Sequence, residues 1–131
     1  MSAVSAFNAK AILDWNLGGA TGYATTARWV GLAVGTPTSV SGSEMGTLTG
    51  YSRVTGLFGA AASPAGTASN TAAMTFGPFS SVGSALGIHI WDGSPVGSSD
   101  FIWYGTLQTA RTFGIGDSIV VAAGALIVTI Q

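Results

Sequence analysis

Cysteine is absent from this 131-residue chain, so it has neither a disulfide framework nor thiolate chemistry. Charge is nearly as scarce. Charged residues make up 7% of the sequence, against about 25% in an average soluble domain. The four basic residues, Lys10, Arg28, Arg53 and Arg111, are spread thinly, and the net charge is −1. No basic stripe exists to neutralise phosphates, so no nucleic-acid partner is expected. The chain does not open on a basic segment followed by an apolar core, so no signal peptide is expected. The longest apolar stretch, 119–130, is too short to cross a bilayer as a helix. No membrane partner is expected either.

What the chain has instead is small residues, aromatics and branched apolar residues. Hydrophobic residues make up 47%, and a compact domain must cover its outside with the Ser, Thr, Gly and Ala that remain. Interface cores are depleted in charge in the same way, so part of that outside is expected to meet other subunits. The length fits one domain with a real core.

The stretch 105–131 organises the fold. Two Val/Ile-rich runs, 119–123 and 125–130, are separated by Gly124, and branched side chains suit a pleated surface. Leu126, Val128 and Ile130 fall on one face and Ile127 and Thr129 on the other, which is the strand period. Upstream, Phe113-Gly-Ile-Gly-Asp117 reads as a turn. The C-terminal part is therefore expected to run strand, turn, strand, bend, strand.

The remaining chain divides in the same manner. Residues 3–17 are rich in helix formers and stop at Gly18-Gly19, which predicts a short helix. In 28–35, Val30, Leu32 and Val34 alternate with Trp29, Gly31 and Ala33, a strand. Residues 36–50 form a long loop, of the kind that is functional or disordered. A second strand starts at Tyr51 and weakens toward Phe58. Residues 59–69 read as loop and 70–76 as a short strand. Strands are expected over 85–91 and 101–107, joined by the turn chemistry of Asp92-Gly-Ser-Pro-Val-Gly97. Such spacing predicts an all-β antiparallel sandwich, jelly-roll-like, with a short N-terminal helix. The division is 1–19 as helix or arm and 20–131 as the sandwich domain.

Chemistry is sparse. His89 lies mid-strand, and a catalytic set with Asp92 or Asp100 would need a nucleophile that nothing in the sequence marks. A strand histidine with a hydrogen-bonded ring is the expectation. Asp92 and Asp100 flank one turn, where capping is the default role of aspartate and weak calcium binding the alternative. No catalytic, metal or cofactor site is expected, and no enzyme. Trp15, Trp29, Trp91 and Trp103 are many tryptophans for this length. They serve as core, interface anchors or sugar platforms. Phe7, Ile12, Trp15, Trp29, Trp91 and Trp103 are the interface candidates, and Trp91 and Trp103 are expected to be neighbours across a hairpin.

Taken in order, several segments carry a resemblance: Ile12-Leu-Asp-Trp-Asn-Leu-Gly18, Trp29-Val-Gly-Leu-Ala33, Gly50-Tyr-Ser-Arg-Val54 and Ser69-Asn-Thr-Ala-Ala-Met-Thr-Phe76. Gly87-Ile-His-Ile-Trp-Asp92, Gly105-Thr-Leu, Gly116-Asp-Ser and Ala122-Ala-Gly-Ala-Leu126 continue it. Together they resemble small tailed-phage structural proteins labelled phage tail fibre proteins, with head decoration relatives. The resemblance implies a virion protein with no catalytic residues; it is expected to assemble in the host cytoplasm and to work as a homotrimer. Its expected role is capsid decoration, bridging capsomers through the major capsid protein, because no heptads or repeats supply a fibre stalk. The alternatives are a tail or tail-fibre-associated role, contacting another virion protein, and a carbohydrate-binding module.

Overall fold

The computed structural model describes residues 2–5, 12, 17, 28–41, 43–46, 50–60, 62, 66–93 and 101–129. Nine strands are found among them: β1 (Ser2–Val4), β2 (Arg28–Ala33), β3 (Val54–Gly56), β4 (Thr67–Ser69), β5 (Met74–Phe76), β6 (Gly83–Trp91), β7 (Phe101–Phe113), β8 (Ile119–Val121) and β9 (Ile127–Thr129). Every ladder is antiparallel. Five strands form one sheet in the order β1-β7-β6-β2-β3, and two short ladders, β4-β9 and β5-β8, make the rest. The chain is thus all-β, as its alternating pattern predicts.

Alternation decides which face is buried. Val30 pairs with Ile90 and Leu32 with Ile88. These four share one core with Met74 and Phe76 of β5 and Phe113 of β7, and Ile119, Val121 and Val128 of β8 and β9 pack against it. The core therefore lies between one face of the large sheet and the two ladders. Phe79 and Phe113 stack at its end with ring centroids 3.9 Å apart. Each such large apolar side chain contributes roughly 1.5–3 kcal/mol on burial. The C-terminal order strand, turn, strand, bend, strand is found as β7, the turn at 114–118, β8, the turn at 122–126, and β9.

Several boundaries differ from the sequence reading. Ala3 and Val4, inside the expected helix, are strand and pair with Tyr104 and Trp103. The edge of β7 offers ladder partners there, and tertiary pairing overrides a weak helix propensity. The rest of the expected helix lies outside the described residues, apart from Ile12 and Leu17. So does the 19/20 boundary between arm and sandwich. The strand begun at Tyr51 narrows to β3, and the one over 70–76 narrows to β5. The loop over 59–69 contains β4, which has no apolar alternation and is held by its ladder to β9. The strand expected over 101–107 runs on to Phe113, because Arg111, Thr112 and Phe113 pair again with β6 after an exposed stretch, 108–110, that the ladder skips. The expected loop over 36–50 is not all free: Met45 N donates to Leu32 O and Val34 N to Ser43 O, docking 43–46 on the edge of β2.

Candidate functional site

A buried polar network joins β2, β6 and the segment 44–53: His89 and Gly31 face away from Ile88 and Leu32, and Tyr51 reaches them from the core, where its ring stacks on Phe76. β3 covers only the first half of β2, with Val30 opposite Val54, and Glu44 bridges Ala33 further on. In the gap, Leu32 N donates to the Tyr51 hydroxyl at 3.0 Å, so a side chain stands in for a missing ladder acceptor. The hydroxyl in turn donates to Glu44 Oε1 at 2.9 Å. Arg53 grips the same carboxylate from both sides, Nε to Oε1 at 2.6 Å and Nη2 to Oε2 at 2.7 Å. Its third arm, Nη1, donates to Gly93 O at 2.6 Å. The guanidinium lies over the Trp91 ring, 3.7 Å from the centroid. A planar fork meeting a carboxylate and stacking on an indole is a geometry that lysine cannot copy.

His89 sits beneath this network at 0% exposure. The Trp91 indole N–H donates to His89 Nδ1 at 2.6 Å, which fixes the neutral ring with its proton on Nε2. Opposite His89 is Gly31. A Cβ there would lie 2.5 Å from the Tyr51 hydroxyl and 2.7 Å from His89 Cε1, so the position admits only glycine. Burial chiefly holds the His89 pKa down, to about 4; the negative charge of Glu44 opposes this and Arg53 adds to it. Burial alone would raise the Glu44 carboxyl, but hydrogen bonds from Arg53 and Tyr51, with the Arg53 charge, carry it below its ordinary value. Burial, then the charge of Glu44, raises Tyr51 well above the usual phenol range, so it stays protonated. The arrangement braces a loop against a sheet. Trp91 occupies His89 Nδ1, and Nε2 is buried with no hydrogen-bond partner among the described residues. Among the described residues no three His, Cys, Asp or Glu side chains converge on a metal position.

The tryptophans do not form one platform. Trp29 stands opposite Trp91 on the network face. Trp103 pairs with Ile90, so it belongs to the other face. The expected Trp91–Trp103 pairing is not found, because Trp103 stands opposite Ile90, and Trp91 meets Phe101 across an irregularity in the ladder. Trp91 is buried, and Trp29, Trp103 and Ile12 are half-buried. Phe7, Trp15 and Asp100 lie outside the described residues, and Asp92 is half-buried beside the turn.

Sequence reasoning missed Glu44, Tyr51 and Arg53 as a unit, since they lie on an irregular segment with no periodicity. It also missed Asn70, which is buried and holds the turn at 122–126. Asn70 Nδ2 donates to Ala72 O and Ala122 O, and Oδ1 accepts from Leu126 N, all at 2.8 Å. The one available signal was an amide in a run of small residues.

The sequence of this all-β chain matches a family of bacteriophage structural proteins of the fibre type, which makes it a virion component. Specifically, the family described as Podophage GP4 fiber I protein gp80 matches residues 3–129, and the chain belongs to it. No curated protein matches the chain.

Proposed function

We propose that this protein is a fibre-associated structural component of a tailed-phage virion, acting through contacts with copies of itself and with another virion protein, and carrying no catalysis. The observation that supports it is the family match over 3–129, nearly the whole chain. That match favours the fibre alternative over capsid decoration, the role first expected. The low charge content and the exposed apolar residues Val82, Ile115, Val120 and Ile127 fit a protein whose surface is covered by neighbours.

The test is the protein's copy number and place in purified virions. Quantitative mass spectrometry against the major capsid protein, with immunogold labelling, should give a number set by the few-fold symmetry of the tail and label at the tail end. A copy number tracking the capsid lattice, with label over the head, would return the case to decoration.

A further inference from the structure

The turn that follows β2 is fixed at its stem and presents an apolar tip. Pro37 is buried against Gly87 of β6. A Cβ on Gly87 would lie 2.5 Å from the Pro37 Cγ, so the glycine makes the notch that the ring fills. Val34 N donates to Ser43 O at 2.9 Å and closes the excursion. Within it Thr38 N donates to Ser41 O at 2.7 Å, and Ser41 N donates to Thr38 Oγ1 at 3.1 Å. Ser39 and Val40 lie between these bonds, and Val40 is 79% exposed. Residues 34–43 carry no charged side chain. A fixed turn that holds an apolar side chain in water gives up little freedom when a partner covers it.

The opposite end of β2 holds the complementary shape. A hollow of about 210 Å³ opens there, lined among the described residues by Phe58, Ala68, Ile102, Trp103 and Val128, with Arg28 its one charged member. Sites for drug-sized ligands begin at about 300 Å³, so this one suits a single branched side chain better than a small molecule. Water inside it would find few polar partners. Arg28 opens β2 and Val34 follows its last residue. At about 3.3 Å per residue the strand sets hollow and turn roughly 20 Å apart, so a molecule cannot fill its own hollow with its own turn. A second copy placed head to tail can, through a heterologous contact that passes from copy to copy. Both ends carry further exposed apolar side chains. Val82 lies at the turn's end, because Ala33 pairs with Gly87 and β6 runs on past it to Gly83. Leu57 lies at the hollow's end, next to the Gly56 that pairs with Arg28.

We infer that copies of this chain associate head to tail, the Val40 turn of one seating in the hollow between Phe58, Ala68 and Trp103 of the next. The inference rests on the self-contact in the proposed function and gives it a surface. Its test uses the isolated protein, while that of the fibre reading uses the virion, so either can fail alone. The experiment is sedimentation of the native protein, of Val40→Glu, of Ala68→Phe, and of the two variants mixed in equal amounts. The native protein should self-associate, and each variant alone should do so more weakly by about tenfold or more, the worth of one buried apolar side chain. In the mixture one contact stays intact, between the turn of the Ala68→Phe chain and the hollow of the Val40→Glu chain. The mixture should therefore form a heterodimer and nothing larger, which a contact between two like surfaces would not give. Val40 is exposed on a turn, so Val40→Glu should keep the native melting midpoint, and Ala68→Leu is the milder filling if Ala68→Phe does not. A monomeric native protein, a Val40→Glu variant that associates as tightly as native, or a mixture that stays monomeric would overturn the assignment.

Discussion

His89 is neutral because the fold gives its charged form nowhere to go. Its ring is buried, Trp91 donates to Nδ1, and the cation of Arg53 lies nearby with only Glu44 to oppose it. The unfolded chain takes up a proton near pH 6.5, while the folded chain resists until about 4. Stability is therefore full above pH 6.5 and is lost as pH falls toward 4, by about 3 kcal/mol. Glu44, also depressed, adds a second loss at lower pH, once its folded carboxyl protonates. Urea unfolding from pH 7 to 4 should show the first loss in the native protein, and His89→Gln should abolish most of the slope. An equal slope in both would show that His89 does not govern it. Asn70 is the other residue on which a local structure depends. Removing its side chain strands Ala122 O and Leu126 N, so Asn70→Ala should cost at least about 2 kcal/mol. Asn70→Asp, which keeps an acceptor but loses both donor bonds, should not restore stability in the same denaturation assay.

At the scale of elements, the turn between β8 and β9 shows what a pattern can carry. Ala125 N donates to Ala122 O at 3.1 Å, and Gly124, at φ 77, occupies the position that requires the left-handed region. No atom lies within 4 Å of a Cβ built there, so a side chain would meet backbone strain alone. Gly124→Val should lose roughly 1–2 kcal/mol, while Ala123→Val, at an exposed turn position, should lose little. Equal melting shifts would contradict the turn geometry. The sequence showed this glycine as a break between two apolar runs, and it showed the core faces of β2, β6 and β9 through their period of two. It did not show β4, which lacks apolar alternation, nor the polar half of β7, nor the strand at Ala3–Val4. Those depend on which edge happens to be free, a property of the assembled sheet. The Glu44–Arg53 pair was hidden for the same reason: its partners converge only after 43–46 docks on β2.

For the whole molecule the open question is what covers its exterior. Val82 and Ile115 are each 74% exposed. They lie just beyond the Gly83–Phe113 pair, at one end of the β6–β7 ladder. Val120 and Ile127 point outward from β8 and β9 at 61% and 57%. Charged residues are only 7% of the chain, so little repulsion keeps copies apart. Single exposed apolar residues are ordinary, but two at one end of a ladder in so uncharged a chain favour burial against a neighbour. Identical subunits most often close into symmetric assemblies. The purified protein is therefore expected to sediment as a closed oligomer at micromolar concentration. The double variant Val82→Ser, Ile115→Ser should shift it toward the monomer without lowering its unfolding midpoint by more than that loss of contact explains, because neither side chain enters the core. A native protein that sediments as a monomer across the concentration range would remove the covered-surface argument. A double variant that stays fully associated would move the interface to another part of the surface.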